Sequence, residues 1–173
     1  MRPIKRLSSE EGGSALIEYA MLAPVFFMLV VGLVEFVLFQ YKANALNYVT
    51  YEAARVLQTG KVQTSGDTAA MAKTFHDQVC SSSGTMLDCE AITFDVRNYG
   101  SVSEVKTQPP EYDKDGKPIN FAFEPGGAGR YSVVRASMNY TFITPFMEKL
   151  FGMGPDLPAM VNSYCIVRNE PWA

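Results

Sequence analysis

Gly12-Gly13-Ser14-Ala15-Leu16-Ile17-Glu18-Tyr19 leads directly into an apolar run from Ala20 to Phe39 that is interrupted only by Glu35. A run of ~20 residues rising ~1.5 Å each is long enough to cross a bilayer core of ~30 Å. It is too long for the apolar core of a secretory signal peptide. No small-x-small cleavage site follows it either, since the next residues are Gln40-Tyr41-Lys42. The run therefore reads as a retained membrane span. Arg2, Lys5 and Arg6 precede it, whereas only Lys42 lies close on the far flank. This asymmetry puts the N-terminal side in the cytoplasm and the bulk of the chain, from about Gln40 to Ala173, outside it. The small pair Gly12-Gly13 at the junction points to a leader cut at the membrane surface, leaving the apolar helix at the new N-terminus.

Two carboxylates belong to this segment, and a charge in hydrocarbon is costly enough to make each a functional candidate. Glu18 lies about one turn inside the cytoplasmic end. Glu35 comes 17 positions later, roughly 25 Å along a straight helix and near the outer interface. Either can be read as an interfacial carboxylate reaching the headgroups. For Glu18 the alternative is pairing with a positive charge inside an assembly, and a cut after Gly13 would create one, the α-amino group of Ser14. Such a desolvated pair can fix register between chains even where its net stabilisation is small. Pro24 lacks an N–H and is expected to kink or loosen the helix, which membranes tolerate when neighbouring helices satisfy the backbone. Gly32 has Met28 and Phe36 four residues to either side, so a close-packing pair of small residues is absent.

The segment Gly13–Val56 resembles the TadE-like pseudopilins, minor pilin-like proteins of the Tad (tight adherence) system that builds Flp pili in bacteria. The residues that carry the resemblance are Glu18-Tyr19, Pro24, Gly32-Leu33-Val34-Glu35-Phe36 and the later Ala43-Asn44-Ala45-Leu46 and Ala53-Ala54-Arg55. The family often has a basic residue soon after its Glu-Phe block. Here Val37-Leu38-Phe39 stands in that place, and Lys42 comes only later. The resemblance covers about a quarter of the chain and says little beyond Gly60. It implies cutting by a prepilin peptidase between Gly13 and Ser14, which makes Glu18 the fifth mature residue. The partners implied are that peptidase, other Tad pilins and pseudopilins, the inner-membrane assembly platform and membrane lipid. The location implied is the bacterial inner membrane, in a single pass, with incorporation into an extracellular pilus as a further destination.

Beyond the span, Leu46, Val49, Ala53, Val56 and Leu57 recur at helical spacing, so the helix is expected to leave the membrane with an apolar stripe and to end at Thr59-Gly60. The stripe packs either on the external domain or on a partner helix. A second short helix is predicted at Thr68–Val79 with Asp67 as its N-cap. Strands are predicted at Ile92–Arg97, at Val133–Phe142, where the alternation is clearest, and at Met160–Val167. A short helix, Pro145–Phe151, separates the last two. The fold class expected is α+β and pilin-like: residues 1–13 a leader, 14–58 the long helix, and 59–173 an external domain with a short helix and a three-stranded antiparallel sheet. Residues 100–129, rich in Pro and Gly, form a loop that is either functional or loose. Within it Asp113-Lys114-Asp115-Gly116 lacks the remaining ligands of a calcium loop and reads as a turn. Gly126-Gly127-Ala128-Gly129 lacks the Lys-Ser/Thr of a phosphate loop.

Composition narrows the function. The net charge is −3 with no basic stripe, which argues against nucleic acid. One histidine, His76, cannot build a histidine metal cluster; no metal, cofactor or enzymatic chemistry is expected. Cys80, Cys89 and Cys165 all fall in the external part, where a disulfide is plausible. Cys80 with Cys89 is the pairing expected, closing a short Ser/Gly-rich loop, and either of them with Cys165 is the rival. Two functions remain: a minor pilin-like subunit of pilus assembly, or an unprocessed, membrane-anchored binding module.

Overall fold

A computed structural model describes residues 12–64, 66–83, 87–106, 108–151 and 159–171. The leader residues Arg2, Lys5 and Arg6 and the turn at Gly84 lie outside the described residues. The chain divides into two compact units, Met1–Val37 and Leu38–Ala173.

The first unit contributes the opening of helix α1 (Gly12–Gln58), and Pro24 lies within this helix. Its side chains are apolar all round: Leu16, Ile17, Met21, Leu22, Phe26, Phe27, Leu29 and Leu33 are all exposed. A helix of a soluble domain shows one apolar stripe, not a full apolar girdle. This one is long and apolar enough to cross a membrane. Glu35 departs from the pattern, at 2% exposure.

The second unit is an α+β domain built on the rest of α1. Ala45, Leu46, Val49, Ala53, Ala54 and Leu57 repeat at intervals of three and four and are all buried. The stripe packs on the external domain, the first of its two possible destinations. The helix stops where Gly60 takes φ 75°, a conformation that carries no steric penalty for glycine. Helix α2 (Thr68–Ser83) starts on Asp67, whose carboxylate accepts from the Ala70 N–H at 2.9 Å. It runs four residues past Val79, because Ser81 and Ser82 donate to the Gln78 carbonyl at 2.7 and 3.1 Å and so satisfy a last-turn acceptor.

Strands β1 (Ile92–Tyr99), β2 (Tyr131–Tyr140) and β3 (Ala159–Arg168) form a three-stranded antiparallel sheet in that order. Helix α3 (Pro145–Phe151) connects β2 to β3. β2 sits two residues earlier than the alternation predicts, since the chain must leave the ladder before Pro145 fixes the start of α3. Phe142, just past the strand, stays buried among rings. Because strand side chains alternate, one face of β2 presents Val134, Ala136, Met138 and Tyr140 to the core. There they meet Ile92, Val96, Ala159 and Val161 of the flanking strands, the α1 stripe, and Phe75 and Val79 of α2. Each fully buried Leu or Val contributes about 1.5–3 kcal/mol relative to exposure.

The opposite face carries Asp95, Arg97, Arg135 and Ser137, and the long loop packs over it. Tyr112 Oη donates to Asn162 Oδ1 at 2.8 Å and lies 3.0 Å from Ser137 Oγ. Residues near Phe123 run beside β1, with Val96 N–H donating to the Ala122 carbonyl and Glu124 N–H to the Val96 carbonyl, both at 2.8 Å. The Asp113–Gly116 stretch is a turn: Asp113 Oδ1 accepts from the Asp115 and Lys117 N–H groups at 2.9 and 2.8 Å, and Gly116 has φ 73°.

Candidate functional site

The N-terminal flank of α1 holds the first group of candidates. Gly13 lies in the first turn and Ser14 follows it, with the Ser14 hydroxyl donating to Glu18 Oε1 at 3.4 Å across one turn. Glu18 and Tyr19 are exposed, Tyr19 at 75%. Glycine at position 13 answers no need of the described fold. It has no positive φ, and a Cβ built there would meet nothing within 4 Å. Internal packing therefore does not account for a glycine at this first-turn position. Glu35 is on the same helix, but the structure does not gather it into one site with Glu18: Glu18 is exposed and Glu35 buried.

The second group lies at the end of α2. Cys80 and Cys89 are joined by a disulfide, with Cα atoms 5.5 Å apart. This ties α2 to the 3-10 turn Cys89–Ala91 that opens β1. Asp88 caps that turn, accepting from the Glu90 N–H at 3.1 Å. Both ring nitrogens of His76 lie 3.6 Å from Cys80 Sγ. His76, Cys80 and Cys89 together have donor atoms within 4.8 Å of one another, but two thiolates consumed in a disulfide cannot ligate a metal. Cys165 carries a free thiol on β3, and burial pushes its pKa above the ordinary thiol value. It is therefore a protonated, weakly reactive group at neutral pH.

The third group was not anticipated from sequence. Arg135 and Asp95 form an ion pair on the loop-covered face of the sheet. Arg135 also donates to the Gln108 carbonyl at 2.7 Å, and its guanidinium lies 4.3 Å from the Phe121 ring centre. Asp95 Oδ1 accepts from the Ala122 N–H at 2.7 Å and from Arg97 Nε at 3.2 Å. At the far end of β2, Asn169 is 1% exposed. It donates to the carbonyls of Gly126 and Gly127 at 2.9 and 3.1 Å and accepts from Ser132 Oγ at 3.0 Å. Apart from Arg97, two residues from Asp95 on the same strand, every partner in these two networks lies far away in sequence or belongs to the loop, so local spacing did not signal them. Both are built to hold the long loop; neither presents a nucleophile or a base to solvent.

The apolar girdle, the junction glycine and the exposed Glu-Tyr pair occupy one continuous piece of α1. That piece has relatives: residues 13–55 match the family of TadE-like proteins. No curated protein and no solved structure matches the chain. The TadE-like segment begins at Gly13 and ends within α1, so it includes the apolar run and most of the buried stripe. The match takes in about a quarter of the 173 residues. The sheet, α2, α3 and the loop lie outside the matched residues.

Proposed function

We propose that this chain is a minor pilin-like subunit of Tad/Flp pilus assembly, processed by a prepilin peptidase between Gly13 and Ser14. In this reading α1 holds the protein in the bacterial inner membrane, with its N-terminus cytoplasmic and residues 59–173 forming the periplasmic domain. Other Tad pilins and pseudopilins and the inner-membrane assembly platform are its partners, and the pilus is its further destination.

The observation that carries the reading is Gly13. The TadE-like match begins at this residue, and nothing among the described residues requires a glycine there. A peptidase that must pass the backbone through a narrow site would require one. Cutting would free the α-amino group of Ser14 one turn from Glu18, where the Ser14 hydroxyl already reaches the carboxylate. The amine and carboxylate can then pair within one helix or between neighbours, and in a low-dielectric setting such a pair sets register.

N-terminal sequencing of the protein purified from membranes of cells that contain the cognate peptidase tests this. A chain beginning at Ser14 supports processing. A chain still beginning at Met1 overturns it and favours an unprocessed anchored envelope protein.

A further inference from the structure

Near the point where the apolar run ends, the second unit carries an exposed apolar surface that its own core does not use. Phe39 is the last residue of the run, and Gln40-Tyr41-Lys42 follow it. Its ring packs on Tyr140, Phe142 and Phe151, with centroids 5.2, 5.6 and 6.3 Å away. Phe142 and Phe151 stack on each other at 5.8 Å, and Lys42 Nζ lies 5.4 Å from the Tyr140 ring centre. This cluster fixes both ends of the β2–α3 segment beside Phe39. Met147 turns inward and is buried. Phe146 and Leu150, one helical turn apart, face outward at 55% and 61% exposure, and Ile143 is 80% exposed.

We propose that Ile143, Phe146 and Leu150 dip into the headgroup–acyl boundary of the membrane that α1 crosses, making α3 a second, interfacial contact between the domain and the bilayer. The proposal rests on reading α1 as a membrane anchor. If Ala20–Phe39 fills a hydrocarbon core of ~30 Å, Phe39 marks its outer boundary. Rings touching Phe39 then share that depth to within about one helical turn. Aromatic side chains with a cation just beyond them are the composition this layer favours. Large apolar side chains left exposed beside that depth are of the kind that partitions into this layer. Lys149, also exposed on α3, can reach the phosphates.

The test uses the full chain reconstituted in phosphatidylethanolamine/phosphatidylglycerol vesicles. Trp172 is the chain's only tryptophan, so Trp172→Phe provides a silent background. Single tryptophans are then placed at Leu150→Trp, at Phe146→Trp (an aromatic replacement that keeps the fold), at Val31→Trp in the apolar run, and at Val102→Trp. Val102 is exposed beyond the end of β1 that pairs with Tyr131, roughly 30 Å along the sheet from Tyr140. Lipids brominated near the headgroup end of the acyl chain should cut the emission of the two α3 reporters by roughly half, as for a side chain at the interface, and by more than they cut that of Val102→Trp, while lipids brominated near the methyl end should quench Val31→Trp. Quenching at Val31→Trp without quenching at either α3 position overturns the proposal and leaves the anchor standing. Absence of quenching at Val31→Trp as well overturns both. A blue-shifted α3 reporter that ignores brominated lipid and depends on protein-to-lipid ratio assigns the face to a second protein, and also overturns it.

Discussion

Arg135 Nη2 donates to Asp95 Oδ2 at 2.9 Å across the β1–β2 ladder, with the two side chains only 5% and 7% exposed. Strand pairing puts the two residues directly opposite, but their burial comes from the loop above them. The pair draws that loop down through Gln108 and Ala122. Each charge thus acquires partners from the segment that removes it from water. Arg135 Nε is the exception, with no acceptor among the described residues, although the Phe121 face lies over the same guanidinium.

Removing one member of this pair is expected to be far worse than removing both. Asp95→Ala leaves a buried guanidinium and an unpaired Ala122 N–H, and should destabilise the domain by about 3–5 kcal/mol. Asp95→Leu combined with Arg135→Met should recover much of that loss, while leaving the loop more open to protease because its polar anchors are gone. Urea unfolding and limited proteolysis of the detergent-solubilised chain measure the two effects. Equal stability of Asp95→Ala and the parent would show that the pair contributes nothing.

Two adjacent glycines should respond differently to the same change. A Cβ on Gly126 would lie 2.9 Å from Asn98 Cβ, whereas one on Gly127 would meet nothing within 4 Å. Gly126→Ala must therefore move the loop off β1 and off Asn169, with an expected cost of about 1–3 kcal/mol. Gly127→Ala should be nearly neutral. Asn169→Ala removes a side-chain donor from each carbonyl, leaving the Gly126 oxygen only the Gln63 amide at 3.2 Å, and should cost about 2–4 kcal/mol. Thermal melts of the three variants suffice, and a Gly127→Ala loss as large as that of Gly126→Ala would contradict this account of the loop.

These networks mark where the sequence could be read and where it could not. The α1 stripe at Leu46, Val49, Ala53 and Leu57 and the alternation around Val134 and Ala136 are local periodicities, and local periodicity reports which face is buried. The Pro- and Gly-rich stretch carried no such signal. Its order depends on Tyr112 reaching Asn162 and on Asp95 reaching Ala122, contacts set by topology. Asp95 and Arg135 each looked like the polar, outward residue of a half-buried strand. Only the loop's path over that face converts them into buried groups. At the N-terminal flank the reverse holds: Gly13, Glu18 and Tyr19 stood out in sequence, while the fold gives them almost nothing to do.

Non-reducing peptide mapping should find Cys80 joined to Cys89 and Cys165 as a thiol. Closing a loop of about ten residues contributes ~2–3 kcal/mol in the chain-entropy model. Cys89→Ser is expected to lower stability by about that amount and to loosen the α2–β1 junction. Cys165→Ser should be milder, since its half-buried thiol has no covalent partner. A fragment linking Cys165 to either of the others would sink the assignment.

Gly13→Leu should abolish cleavage while leaving the helix intact. Nothing in the described fold obstructs a larger side chain there, and leucine is the better helix former. A mass spectrum of membrane-extracted protein would then show the leader retained on the variant and removed from the parent. Full cutting of the variant would mean that the junction glycine is not read by a peptidase.

Glu18→Gln separates charge from shape at the most exposed carboxylate of the apolar helix. The amide keeps the size and can still accept from the Ser14 hydroxyl, so membrane insertion and cleavage should be unchanged. It cannot pair electrostatically with a freed α-amino group, and that pairing is the role proposed for Glu18 after processing. Co-purification with other pilus components should therefore fall, and piliation with it, whereas Glu18→Asp should retain part of both. Because a desolvated pair sets register more than it adds stability, thermal stability of the isolated chain should not distinguish these variants. Unchanged assembly in Glu18→Gln would return this residue to the simpler role of an interfacial carboxylate held at the headgroups.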